Sequence, residues 1–309
     1  MGLPLLSIIL PTFNERQNII PLYDDIKKHI ERLDINYEII FVDDNSPDRT
    51  IEEIKLLSVK DKNVKYILMS RRFGDQISLM AGLEHASGDM VIVMDSDLQH
   101  PPRYIPIMVE KWEAGAEIVI MKRQEEGHSS WFKKWTEIIF YKLLQKMSKT
   151  PIFSRFSGFA LIDKKVVHKL CMFEENEPFV RGLIGFVGYQ KIEIPYREDK
   201  RVFGSSKYNI LSLFDLAFSG ITSFSEKPLY WALYSGVFAT AIALVHVLYV
   251  LWERIFGDIP ELGWATTIIV VTFLGGIQLI SMGILGIYLS KIFLETKKRP
   301  RYIIAESNT

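Results

Sequence analysis

The sequence predicts an α/β protein with a mostly parallel sheet, followed by two transmembrane helices. Three observations carry that reading. Through the first 225 residues, short continuous apolar runs alternate with longer amphipathic ones. Strands that are apolar throughout, rather than at every second position, belong to a parallel sheet covered on both faces by helices. After Pro228, two long runs without formal charge follow one another.

Taken in order, LLSIIL (5–10) predicts a buried strand and NIIPLYDDIKKHIERL (18–33) a helix. YEIIFVDD (37–44) is a strand, and RTIEEIKLLSVK (49–60) a helix with apolar residues at helical spacing. VKYILM (64–69) is a strand, ISLMAGLEHA (77–86) a helix ended by Gly88, and MVIVMD (90–95) a strand. RYIPIMVEKWEA (103–114) then predicts a helix and EIVIMK (117–122) a fifth strand. GLIGFVG (182–188) reads as a packing and turn feature.

The run 229–252 holds 24 residues with no formal charge apart from the titratable His246. A helix of that length covers about 36 Å, more than a hydrocarbon core of roughly 30 Å. The run 264–290 is equally uncharged, and Trp231, Tyr249, Trp252, Trp264 and Tyr288 sit near the ends of the two spans, as interfacial aromatics do. Lys291, Lys297, Lys298, Arg299 and Arg301 follow the second span, whereas the connection 253–263 carries Arg254 against Glu253, Asp258 and Glu261. The positive-inside rule therefore puts both termini in the cytoplasm. MGLPLLSIILPTFNE lacks the basic start of a signal peptide.

Composition narrows the function. The 309 residues carry 37 basic and 37 acidic side chains, so no global field points to nucleic acid. The lone Cys171 excludes an internal disulfide framework and reads as a small core residue. No GxGxxG follows the first strand and no GxxxxGK[ST] occurs, which disfavours dinucleotide and P-loop chemistry.

In open α/β sheets, ligands bind at the carboxyl ends of the strands. Strand one ends in Pro11-Thr12-Phe13-Asn14-Glu15, strand two in Asp43-Asp44, strand four in Asp95-Ser96-Asp97, and strand five runs into Arg123. Carboxylates crowded on one rim repel unless a cation neutralises them, so the rim reads as a metal and nucleotide site. Downstream, REDKRVFGSSKYN (197–209) sets Arg201 and Lys207 around Gly204, Ser205 and Ser206. Such a loop suits a diphosphate, and equally a solvated linker. The stretch 129–149 interleaves apolar residues with lysines; an interfacial helix and a core helix with a basic face both fit it. The stretch 209–224 is a second interfacial candidate.

Together, SIILPTFNE, FVDDNSPDRT, SRRFG, SGDMVIVMDSDLQHPP and REDKRVFGSSKYN, followed by two spans, resemble the polyprenyl-phosphate glycosyltransferases of glycosyltransferase family 2. The resemblance covers essentially the whole chain and implies a GT-A catalytic domain (1–208), a juxtamembrane helix (209–227), two spans (228–293) and a basic cytoplasmic tail (294–309). It implies transfer of one sugar from a nucleotide-sugar, UDP-glucose by preference, to polyprenyl phosphate at the cytoplasmic face of a bacterial plasma membrane. UDP-GlcNAc, UDP-galactose and GDP-mannose are the alternative donors. Pro11, Phe13, Glu15, Val42, Asp43, Asp44, Asp95 and Ser96 would hold the nucleotide. Asp95, Asp97 and Gln99 would coordinate Mg²⁺ or Mn²⁺, with Asp97 and Asp95 as the catalytic carboxylates. Arg123, Arg201, Ser206 and Lys207 would hold phosphates. A homo-oligomer in the lipid bilayer is expected.

The chain departs from the pattern at FSGFALIDKK (156–165), where Gly158 and Ala160 stand in place of the usual Asp and Arg. A mechanism leaning on that acid cannot be assumed, and a membrane-anchored nucleotide-binding regulator stays open beside the enzyme. A processive polysaccharide synthase would carry QxxRW, which is absent. A transporter would need more than two spans unless the chain oligomerises.

Overall fold

A computed structural model describes residues 2–124, 156–199, 226–256 and 264–309. The chain forms two compact units: Met1–Ala217 with Arg299–Thr309, and Phe218–Lys298.

The first unit is built on one eight-stranded sheet. Its strands are β1 (Leu5–Thr12), β2 (Asn36–Asp43), β3 (Val64–Met69), β4 (Met90–Val93), β5 (Ile118–Arg123), β6 (Phe156–Asp163), β7 (Lys191–Tyr196) and β8 (Ile304–Ser307). They lie in the order β7-β5-β6-β4-β1-β2-β3-β8. The five strands read from apolar runs form as expected, and β1, β2 and β4 are buried almost throughout. Helices α1 (Ile19–Ile30), α2 (Thr50–Lys60), α3 (Asp75–His85) and α4 (Ile105–Glu113) fill the predicted intervals, and α5 (Lys164–Cys171) and α6 (Val180–Phe186) follow β6.

Alternation along β1 supplies two cores. Leu6, Ile8 and Leu10 pack with Leu22, Ile26, Phe41 and Met108 beneath α1 and α4. Ile9 faces the other way, against α3, where Gly82 permits the approach: a Cβ there would stand 2.3 Å from Ile9 Cγ2 and 3.2 Å from Val42 Cγ2. Any side chain at 82 would push the helix off the sheet. Cys171 is half-buried, and burial pushes its thiol up to about 11, in keeping with a packing residue.

The sheet is mostly parallel, as expected, with two strands reversed. β1–β2, β1–β4, β2–β3 and β5–β7 are parallel, but β6 inserts antiparallel between β4 and β5, and β8 runs antiparallel to β3. Both misfit strands lack the continuous apolar signature. β6 opens on Phe-Ser-Gly, and β8 is a four-residue edge strand exposed over most of its length.

The expected tail thus contains β8, and its neighbours anchor it. Ser70 N–H donates to the Ile303 carbonyl, Lys55 pairs with Glu306, and Arg301 donates to the Phe173 carbonyl and to Glu84. Edge pairing hides the open N–H and C=O row of β3.

The second unit holds α7 (Lys227–Phe256) and α8 (Trp264–Thr296). Their stretches Lys227–Tyr249 and Val270–Thr296 have mean hydropathies of 1.7 and 2.0 and are long and apolar enough to cross a membrane. Large apolar side chains such as Val237, Leu248, Leu279 and Ile280 stay exposed. The candidate interfacial segment 129–149, the stretch 209–224 and the residues Arg201, Ser206 and Lys207 lie outside the described residues.

Candidate active site

Three neighbouring parallel strands end alike. Asn14 after β1, Asn45 after β2 and Leu98 after β4 all take left-handed backbone, with φ of 55°, 57° and 65°. Asparagine accepts that conformation readily; a leucine there costs about 1 kcal/mol or more. Leu98 holds the bend because its side chain packs against the core while its neighbours Asp97 and Gln99 stay in the loop.

The carboxylates divide into two sets. Asp43 and Asp44 are buried at the end of β2. Asp43 accepts from the Ser46 N–H at 3.1 Å and from its hydroxyl, and Ser46 Oγ in turn accepts from Asn14 N–H at 2.9 Å. Asp44 accepts from the N–H groups of Phe73 and Gly74 at 2.6 and 2.8 Å. Burial pushes both carboxyls up, against the N–H donors that pull them down. These acids fasten the rim loops to one another. Val42, beside them, is wholly buried.

Around the first strand, Ser96 Oγ donates to the Pro11 carbonyl at 2.8 Å and ties the β4 turn to β1. The Arg72 guanidinium lies 4.2 Å from the Phe13 ring centroid, a flat platform of the kind that stacks on a base. Glu15 is buried, accepts from Asn18 Nδ2 at 2.5 Å, and its N–H donates to Thr50 Oγ1 at 3.2 Å.

Asp95 and Asp97 are different. The Asp95 side chain is 52% exposed. Asp97 Oδ1 accepts from Gln99 N–H at 3.1 Å, which leaves its second oxygen outside that turn. Behind them stands His100, unremarked at the sequence level. Its Nδ1 accepts the Asp95 N–H at 2.9 Å, so its proton sits on Nε2, 3.7 Å from Asp95 Oδ2. Burial holds the imidazole down to about 3; Asp97 favours its charge, Arg181 and Arg123 oppose it. The ring stacks on Phe159 with centroids 5.1 Å apart and meets Tyr196 edge-on at 6.1 Å. A neutral, packed histidine thus fixes the backbone that presents Asp95.

Two arginines pair with the acids that follow β7. Arg123, at the end of β5, pairs with Glu198 at 2.7 Å. Arg103 grips Asp199 through two bonds of 2.6 and 2.9 Å, and Asp199 N–H donates to the Gln99 carbonyl at 3.2 Å. Asp199, the last described residue before the stretch that carries Arg201, Ser206 and Lys207, thus lies against the acidic turn.

Among the described residues, no group of three His, Cys, Asp or Glu side chains converges on a metal position. Two carboxylates with Gln99 nonetheless fit a hard divalent cation, because Mg²⁺-type sites pair one or two carboxylates with substrate phosphates and waters.

A sequence model described as glycosyl transferase family 2 matches residues 7–171. An uncharacterized glycosyltransferase, YkcC of Bacillus subtilis (strain 168), is 38% identical over 301 residues, covering 97% of this chain and 93% of that one. The bactoprenol glucosyl transferase of Shigella phage SfX is 38% identical over 299 residues, covering 97% and 98%. Among solved structures, the mannosyltransferase PcManGT of Pyrobaculum calidifontis, in complex with GDP-Man and Mn²⁺, aligns at a TM-score of 0.51 and 18% identity. That alignment covers 94% of this chain and 88% of that one.

These likenesses correct the expected fold class. The expected GT-A assignment is not retained, whereas two helices of membrane length are present. At 18% identity and a TM-score of 0.51 the structural likeness reaches only as far as an α/β fold, here with two reversed strands.

Proposed function

The chain belongs to glycosyl transferase family 2, and from that membership we propose that it moves one sugar from UDP-glucose to polyprenyl phosphate at a membrane surface. One observation carries the reading: the Asp95–Asp97 turn at the sheet rim, with Asp95 exposed and Asp97 half-buried, in a chain that continues into two helices of membrane length. Likeness to a bactoprenol glucosyl transferase over nearly the full length of both chains supports the acceptor and the donor.

In this reading Pro11, Phe13 and Glu15 line the nucleoside. Asp43, Asp44 and Ser96 hold the loops that shape that pocket. Asp95, Asp97 and Gln99 hold Mg²⁺ or Mn²⁺, which when bound draws off the charge that grows on the leaving diphosphate. Arg123, Arg201, Ser206 and Lys207 hold phosphate oxygens.

The anomeric carbon–oxygen bond to the diphosphate breaks as a phosphate-monoester oxygen of the lipid attacks from the opposite face. The anomeric centre inverts and a nucleoside diphosphate leaves. The second pKa of such a phosphate lies near 6, roughly a unit below neutrality, so the nucleophile is already ionised. Gly158 and Ala160 supply no acid, and this chemistry asks for none.

The return of Arg299–Thr309 to the first unit supports a helical pair that leaves one side of the membrane and comes back to it. With the basic residues after α8, that side is the cytoplasm.

The test uses full-length protein in lipid nanodiscs with Mn²⁺, undecaprenyl phosphate and labelled UDP-glucose, UDP-GlcNAc, UDP-galactose or GDP-mannose. Label passing into the organic phase from UDP-glucose, and lost in Asp97→Asn, is the expected result. Nucleotide binding without transfer from any donor would mark a regulator instead.

A further inference from the structure

Arg181 has no place in the site read from sequence, yet the fold brings it there. β4 and β6 pair in the register Met90↔Asp163 to Val93↔Ala160. Carried two residues further, that register sets Gly158 level with Asp95. Arg181, second residue of α6, lies directly over Gly158: a Cβ built there would stand 3.1 Å from Arg181 Nε and 3.2 Å from Nη2. The Val180 N–H donates to Gln76 Oε1 at 3.1 Å, which holds this end of α6 to the first turn of α3.

Arg181 and Arg123 both lie close enough to His100 for their charges to oppose its protonation. The two cations differ in one respect. Arg123 has Glu198 at 2.7 Å, whereas among the described residues no carboxylate pairs with Arg181. It is half-buried, so its charge is only partly relieved by water.

Gly158 leaves the guanidinium uncrowded on the side of β6. Its φ of +104° is a backbone conformation that L side chains rarely adopt, and any side chain would begin in the space over Arg181. A planar, five-donor cation that is half-buried near His100, behind the acidic turn, is shaped for an oxyanion brought by a ligand.

We propose that Arg181 binds a phosphate group of the reacting substrates, in a recess that Gly158 leaves open. The inference rests on the transferase reading, in which both substrates carry phosphate: the diphosphate of the donor and the monoester of the lipid. The chemistry Arg181 recognises is common to them.

The experiment measures equilibrium binding to the full-length protein in nanodiscs, of UDP with Mn²⁺ by calorimetry and of undecaprenyl phosphate by fluorescence titration. Arg181→Gln is expected to weaken one of them about 10-fold or more, and Arg181→Lys about 3-fold, since lysine keeps the charge and loses the fork. Weaker UDP binding assigns the donor diphosphate; a loss confined to the lipid assigns its phosphate. Affinities unchanged in both arms overturn the proposal.

A second pair guards against a folding defect at 181. Gly158→Asp and Gly158→Asn add the same bulk and the same backbone strain, but only Asp brings a carboxylate to the guanidinium. Asp is expected to reproduce Arg181→Gln while Asn binds several-fold more tightly than Asp; equal losses overturn the proposal. Both readouts are independent of turnover. Wild-type protein that makes no lipid-linked sugar would sink the transferase reading and leave the role of Arg181 to be read from binding.

Discussion

Asp43–Asp44 and Asp95–Asp97 stand at the ends of two strands that flank β1 in the same sheet, and both pairs were expected to touch ligand. The first pair is buried and answers to backbone: Ser46, Phe73 and Gly74 donate to it. In the second, the Asp95 side chain is half exposed, and its backbone is what is held, by His100. The difference lies in what surrounds the residue, since all four are aspartates. A carboxylate encircled by N–H donors builds a loop, and one whose backbone is pinned while its side chain reaches the surface is placed to meet a cation.

The largest expected effect separates the two pairs outright. Asp97→Asn is expected to lower kcat for sugar transfer by about 100-fold or more while leaving the melting temperature close to that of wild type. Asp44→Ala removes the acceptor of two backbone N–H groups inside the protein and is expected to cost about 2–4 kcal/mol. Activity and melting temperature measured on both variants draw the comparison directly. Equal loss of stability in the two would erase it.

Protonation sharpens the contrast, because buried carboxylates here lean in opposite directions. Burial pushes the Glu38 carboxyl up, but Lys65 at 2.6 Å, the Ser7 hydroxyl and the Ser87 N–H more than offset it, leaving it below its ordinary value. Its contribution to stability is therefore present above the unfolded value of about 4.3 and fades as pH falls through the lower folded value. Asp44 has the opposite sign. Its raised folded value means that its contribution is fullest below about 3.9 and is lost as pH rises through the folded value. In melting curves from pH 7 to pH 3, the gap between wild type and Glu38→Gln should shrink toward acid. The gap between wild type and Asp44→Asn should widen. Parallel slopes would mean that the surroundings of these acids do not set their charge.

His100 follows Glu38 in sign for its own reason. Buried neutral and held down to about 3, it contributes stability above its unfolded value of about 6.5 that is lost as pH falls toward 3. It also adds no titrating limb to the rate between pH 5 and 8, because the imidazole stays neutral across that range.

How much of this could be read from the sequence depended on where the evidence sat along the chain. β1 to β5 declared themselves because a strand buried on both faces must be apolar at every position, and a short window shows that. β6 and β8 did not, because what makes them strands is their partners. β6 pairs with β4 across some seventy residues of chain (Met90↔Asp163), and β8 is anchored by Tyr66, Lys55 and Ser70 from far upstream. The site divides likewise. Asp95 and Asp97 are conspicuous as two charges one residue apart after an apolar run. His100 reads as one turn residue among several, and only its packing on Phe159 and Tyr196 reveals that it is neutral and braces Asp95. Arg181 lies 84 residues past Asp97, on a helix whose glycines promised only packing, and its contacts with β6 and α3 place it.

The smallest expected effect tests how the second pair is aimed. Asn14 and Asn45 hold their left-handed turns at little cost, but Leu98 does so against its own preference, by about 1 kcal/mol. Leu98→Gly removes that strain. It also gives up the packing of Leu98 on the core and frees the unfolded chain, each worth about 1 kcal/mol. These terms oppose one another, so the melting temperature should move by no more than a few degrees. What should move is the aim of Asp97 and Gln99, which flank the bend. Glycine permits conformations that leucine, once packed, forbids, and a loosened turn must be ordered each time a cation binds. A few-fold rise in the Mn²⁺ concentration needed for half-maximal transfer, at nearly unchanged stability, is the expected outcome. An unchanged Mn²⁺ requirement would show that His100 alone holds the turn and that the strain at Leu98 is incidental to it.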